Sequence, residues 1–139
     1  MKKQTLLLMS HGYLAKEALL SANLIVGEIT NSYYVCMTSE MGPDEVEDKV
    51  MEKINPSNYE EDVFIICDMM GGTPCNVALR VANKFKKKKI SVLSGLSLPM
   101  IIEYAMSSSI NVKEKRKKVI ETGKEATVDL MEVYRSLKE

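Results

Sequence analysis

The stretch Val63-Phe64-Ile65-Ile66-Cys67-Asp68-Met69-Met70-Gly71-Gly72-Thr73-Pro74 decides the fold. A short apolar run with β-branched and aromatic members reads as a strand buried on both faces. Asp68 to Gly72 form the turn that follows it. Thr73-Pro74 then opens a helix: proline suits the first turn, where its missing N–H has no acceptor to lose, and Thr73 falls at the N-cap. Val77, Ala78, Val81, Ala82 and Phe85 recur at helical spacing, and the lysine cluster Lys84–Lys89 closes the helix where cations suit its dipole.

Working outward, Gln4–Met9 is a second buried strand, ending at Ser10-His11-Gly12. Leu14, Ala18, Leu19, Ala22 and Ile25 mark a helix stopped at Gly27. Ser32–Met37 reads as a strand and Asp44–Ile54 as an amphipathic helix. Ile90–Leu93 is the fourth strand, Gly95–Ser97 a turn, and Pro99 starts a further helix. Residues after Asn111 are helical to about Thr122, whereas Glu125–Glu139 fits neither period cleanly. The pattern predicts an α/β fold: a single open, mainly parallel four-stranded sheet with helices on both faces. In such sheets functional groups gather at the carboxyl ends of the strands. The loops after the first, third and fourth strands are the candidates.

Composition narrows the class. The chain has 139 residues, 45% hydrophobic, with 19 basic and 19 acidic side chains. One domain over residues 1–139 is expected. A neutral total argues against a nucleic-acid binder, since such domains are usually basic. No apolar run is long enough for membrane insertion. Met1-Lys2-Lys3 with Thr5–Met9 is too short and too quickly polar for a signal peptide. Cys36, Cys67 and Cys75 have no metal-ligand spacing and read as reduced thiols of a cytoplasmic protein. No metal and no cofactor is expected. The zero hides an asymmetry: residues 1–83 carry a net charge of −6 and residues 84–139 a net charge of +6. The basic excess lies in Lys84–Lys89 and Lys113–Lys118. Solvated helix ends account for it most simply; a surface that steers a partner is the sharper reading.

His11 is the only histidine, set between a buried strand and a helix. Asp68 stands at the matching end of the third strand. A carboxylate bonded to one ring nitrogen fixes the tautomer and leaves the other as a nucleophile. Gly71 and Gly72 allow backbone amides to approach a ligand closely, and helix N-termini of this kind hold phosphate. Each feature alone has a plain alternative: an idle histidine, a loop-anchoring aspartate, an ordinary cap. Rival sites fail on spacing. Neither GxxxxGK[ST] nor GxGxxG is present. Cys75 and Arg80 are one residue short of a phosphatase loop. Ser10-His11 replaces the acidic pair that a receiver domain needs.

With these segments in view, the chain resembles the mannose-type (mannose, fructose, sorbose) enzyme IIA proteins of the bacterial phosphotransferase system. Leu8-Met9-Ser10-His11-Gly12 is similar to their phospho-acceptor segment, Asp68 to Asn76 to their Asp-x-x-Gly-Gly-Ser/Thr-Pro-x-Asn loop, and Gly95-Leu96-Ser97-Leu98-Pro99-Met100 to a third segment. Ser97 departs from the usual asparagine. The resemblance implies a cytoplasmic phosphocarrier whose catalytic residues are His11, Asp68 and Thr73. His11 would take a phosphoryl group from the phosphocarrier HPr and pass it to enzyme IIB, serving the membrane subunits IIC and IID indirectly. Asp68 would orient the ring, and Gly71, Gly72 and Thr73 would hold the phosphoryl oxygens. It also implies a homodimer exchanging a C-terminal strand, for which Glu125–Leu130 is the candidate. The alternatives are the phosphotransfer subunit of a dihydroxyacetone kinase system and a regulatory module of the same fold.

Overall fold

The computed structural model describes residues 3–54, 61–85, 89–107 and 111–138. Four strands, β1 (Gln4–His11), β2 (Ser32–Met37), β3 (Asp62–Cys67) and β4 (Ile90–Ser94), pair in parallel in the order β2-β1-β3-β4. Side-chain alternation along β1 and β3 sends two apolar sets to opposite faces. Leu7, Met9, Ile65 and Cys67 pack under α2 (Pro43–Lys53) and α3 (Thr73–Lys84), against Val46, Val50, Val77 and Val81. Leu6, Leu8, Phe64 and Ile66 pack under α1 (Leu14–Val26), α4 (Leu98–Met106) and α5 (Val112–Glu125), against Leu19, Ile101, Tyr104 and Val119. This double burial is why both strands read as continuous apolar runs.

The chain leaves β1 to one side for β2 and returns on its other side for β3. The carboxyl ends of β1 and β3 are therefore the switch point, where open α/β sheets form their clefts.

Two expectations are corrected. No strand forms over Glu125–Leu130: α5 runs through Glu125, residues 127–129 connect, and α6 (Leu130–Lys138) follows. A strand needs a neighbouring edge for its N–H and C=O groups, and here the connecting segment is exposed. Thr73 is the first helical residue of α3, and Gly72 occupies the N-cap with extended backbone and no side-chain cap. The charges of the two sequence halves also interleave in space. Lys84 and Arg80 of α3 bond Glu47 of α2 at 3.1 and 3.0 Å. Lys86, Lys87 and Lys88 lie outside the described residues.

Candidate functional site

His11 ends β1 and Asp68 follows β3, and parallel pairing of these strands brings the two together. His11 Nδ1 lies 2.7 Å from Asp68 Oδ2. The same oxygen accepts the His11 backbone N–H at 2.8 Å, while Oδ1 accepts the Met69 N–H at 2.8 Å. Asp68 N–H in turn donates to Met9 O at 3.0 Å, pinning the carboxylate's own backbone to β1. The Asp68 side chain is 10% exposed and that of His11 43%. Partial burial pushes the Asp68 pKa up, but hydrogen bonds from the His11 N–H, the His11 ring and the Met69 N–H outweigh it. Its carboxyl is held below the usual range. An ionised carboxylate only accepts, so Nδ1 carries the donated proton and Nε2 keeps its lone pair in the neutral ring.

The ring lies against Gly72. A Cβ built there would stand 2.6 Å from His11 Cε1 and 3.3 Å from Nε2. Only glycine fits beneath this imidazole. Gly71, at φ +87°, turns the chain through the left-handed region with open space around its Cα. Nε2 is thereby placed beside the first turn of α3, whose Thr73 and Cys75 N–H groups have no acceptor within the helix. That end of the dipole favours an anion.

The candidate site residues have definite places. His11, Asp68 and Gly72 converge. Thr73 stands one residue further along, at the start of α3. The Gly95–Ser97 loop folds back onto β3, with Leu96 N–H donating to Cys67 O at 3.0 Å. Glu103 serves the fold, its carboxylate accepting from Thr122 Oγ1 at 2.9 Å and Ser107 Oγ at 3.0 Å. Cys36, Cys67 and Cys75 are free thiols; burial, then the neighbouring Cys75, pushes the Cys67 thiol up.

Sequence reasoning passes over two contributors. Ser10, fully buried, accepts the Ala15 N–H at 2.8 Å and donates to Gly12 O at 3.0 Å, so its hydroxyl staples the loop that carries His11. The loop after β2 was not among the candidate loops. Yet Met37, Thr38 and Ser39 line an open cleft of about 480 Å³ with His11, Gly12 and Tyr13. The register His11↔Met37 and the Gly12 N–H to Met37 O bond of 2.7 Å hold it there. Its signal was the strand-end rule applied to β2 as well.

Comparison with known proteins places this geometry. Residues 5–121 match the family model EIIA-man, described as PTS system fructose IIA component. The PTS system sorbose-specific EIIA component of Lacticaseibacillus casei is 30% identical over 104 residues, 75% of this chain and 73% of that protein. Among solved structures, the mannose/sorbose specific IIA subunit of phosphotransferase system from Enterococcus faecalis superposes with a TM-score of 0.83 at 35% identity. It covers 91% of this chain and 94% of that one. The phosphotransferase system component EIIA from Streptococcus agalactiae gives 0.85 at 27% identity, over 92% and 98% of the two chains.

Proposed function

The chain belongs to the PTS fructose IIA component family, of mannose/sorbose type, and from that premise we propose that His11 is its phospho-acceptor. A component of this family is part of a sugar phosphotransferase system. Within the proposal, residues 1–139 act as one IIA domain. It takes a phosphoryl group from phospho-HPr and hands it to enzyme IIB, upstream of the membrane subunits. No helix among the described residues is long and apolar enough to cross a membrane. The matched family and relatives are named for sugar phosphotransferase components, which favours this reading over a dihydroxyacetone kinase subunit.

One observation carries the proposal: Nδ1 is tied to an ionised Asp68 while Nε2 sits over Gly72 at the start of α3. The Nε2 lone pair attacks phosphorus of the donor phosphoimidazole. The N–P bond of the donor breaks, its electron pair returns to the donor nitrogen, and a new Nε2–P bond forms. Nδ1 keeps its proton, shared with Asp68, which offsets the positive charge gathering on the ring. Gly71, Gly72 and Thr73 shape the place for the phosphoryl oxygens, and the Thr73 and Cys75 N–H groups face their charge. Such transfer is chiefly positioning and charge stabilisation. The same steps in reverse deliver the group to enzyme IIB.

The test is direct. The chain is incubated with phosphoenolpyruvate, enzyme I and HPr, and an acid-labile, base-stable adduct is sought. Label on the wild type that disappears in His11→Ala supports the assignment; unlabelled wild type, or label surviving in His11→Ala, rejects it.

A further inference from the structure

The phosphotransfer reading leaves the two basic clusters unexplained. In the fold, members of both meet at the amino end of the sheet. Gln4, Asp62 and Ile90, the first residues of β1, β3 and β4, form the floor of a cavity of about 800 Å³ whose wall includes Lys89, Lys113 and Arg116. The length of β1 separates it from His11, about 23 Å at strand rise.

Its donors are arranged for an anion. Among the described residues Arg116 gives one hydrogen bond, from Nη1 to the buried Ser91 Oγ at 2.9 Å. That bond fixes the guanidinium and leaves most of its five N–H donors for another acceptor. Gln4 is turned in the same sense. Its Oε1 accepts from the Lys115 amine at 2.7 Å, so the amide NH₂ is the group it has left to offer. Lys115 itself is 1% exposed and lies 3.7 Å from the centre of the Tyr104 ring, a buried cation directly behind Gln4. Among the described ion pairs none involves Lys89, Lys113, Lys115 or Arg116. Asp62 is the one carboxylate on the cavity wall among the described residues, set against three cations there.

We propose that this cavity binds a small soluble phosphomonoester, its dianion held by Lys89, Lys113 and Arg116 with the Gln4 amide beside them. A forked guanidinium with two ammonium groups matches the charge and several oxygens of a phosphate better than those of a carboxylate. The volume is that of a small-molecule site. Exposed aromatic side chains for stacking a nucleic acid are missing from the wall among the described residues. The inference stands independently of the reaction at His11.

The experiment titrates the isotopically labelled full chain with inorganic phosphate and with glycerol 3-phosphate at constant ionic strength, following backbone amide shifts by NMR. Wild type and His11→Ala are compared so that any contribution of the imidazole drops out of the second series, while anion binding at the start of α3 is recognised in both by shifts of the Gly12 and Gly72 loops. The expected result is saturable movement of the Lys89, Ser91, Lys113 and Arg116 amides in both proteins. Affinity should fall about tenfold in Lys89→Gln/Lys113→Gln, two exposed positions whose change leaves the core intact. Absence of saturation, equal affinity in the double variant, or shifts confined to the Gly12 and Gly72 loops overturns the proposal. So does sedimentation with phosphatidylcholine vesicles containing 30% phosphatidic acid in the absence of any response to glycerol 3-phosphate. If His11 were not phosphorylated at all, these outcomes would read the same.

Discussion

Replacing Gly72 by alanine tests the site at its tightest point. Gly72 has φ −82° and ψ 164°, ordinary extended backbone that alanine adopts freely. The added methyl therefore costs the chain little by itself. What it meets is the His11 ring, at 2.6 Å from Cε1, where ordinary contact begins near 3.4 Å. The ring or the loop must retreat by most of an ångström. A retreat of the ring stretches the 2.7 Å Nδ1–Asp68 bond beyond hydrogen-bonding range and moves Nε2 off the α3 N-terminus. Misplacement on that scale lowers a positioning-dependent rate by about 100-fold. Gly71→Ala is the opposite control: its Cβ meets nothing within 4 Å, but φ +87° costs about 1–2 kcal/mol for a side-chain-bearing residue. The assay pairs thermal unfolding with the rate of label transfer from phospho-HPr. The expected pattern is a well-folded, slow Gly72→Ala and a less stable, faster Gly71→Ala. A Gly72→Ala protein that accepts label at the wild-type rate would refute the packing argument and the role of Nε2 drawn from it.

Other perturbations address separate parts of the molecule. Asp68→Asn removes the ionised acceptor that sets the ring tautomer, so transfer should slow about 10–100-fold in a chain that still folds at neutral pH; an unchanged rate removes the orienting role. Because the Asp68 pKa is lowered in the fold, its stabilising contribution is present above the ordinary carboxylate pKa and fades as pH drops through the depressed value. Asp68→Asn should therefore flatten the acid limb of the stability curve. Ser10→Ala leaves the buried Ala15 N–H without its acceptor and should cost about 1–2 kcal/mol, seen as a melting temperature lowered by a few degrees. Burial lowers the Lys115 pKa to about 8, below the ordinary lysine value, so the unfolded chain binds more protons between those two pH values and stability rises with pH there. Relative to Lys115→Met, the wild type should gain about 2 kcal/mol between pH 7 and 9.5 in denaturant titrations, and a constant difference would contradict the burial argument. The proposed homodimer is read from sedimentation: the exposed apolar residues Leu130, Tyr134 and Leu137 of α6 are its expected contacts. Truncation after Ala126 should give a monomer where the full chain gives a dimer.

Much of this protein is legible in its sequence because each signal is local. The runs Leu6–Met9 and Val63–Cys67 announce strands buried on both faces, since side chains alternate and both sides must be apolar. Pro74 after a glycine pair announces a helix start, and Gly27 a helix end, through backbone sterics alone. One histidine and one aspartate at the strand ends, taken together with the Gly71-Gly72-Thr73-Pro74 anion cradle, suggest a phosphoryl group carried on histidine. Where the signal is not local, sequence reasoning slips. Thr73 reads as a cap by residue type, but Gly72 holds that place with extended backbone, and the His11 ring lying against it leaves no room for a side chain. The segment 125–130 has strand-forming residues, yet a strand exists only where another backbone edge meets it, and none does among the described residues.

The amino-acid sequence by itself therefore determined the element types, the layered α/β class and the candidate residues, because propensity and periodicity are properties of neighbouring residues. Only the tertiary structure decided that β1 and β3 lie side by side and bring His11 within 2.7 Å of Asp68, 57 positions away. It also decided that Ser10 rather than Tyr13 restrains the start of α1, and that Lys89 shares a cavity with Lys113 and Arg116. These contacts depend on strand order and crossover direction, and the free energy that selects them comes from burying two apolar faces at once, which no short window of sequence contains.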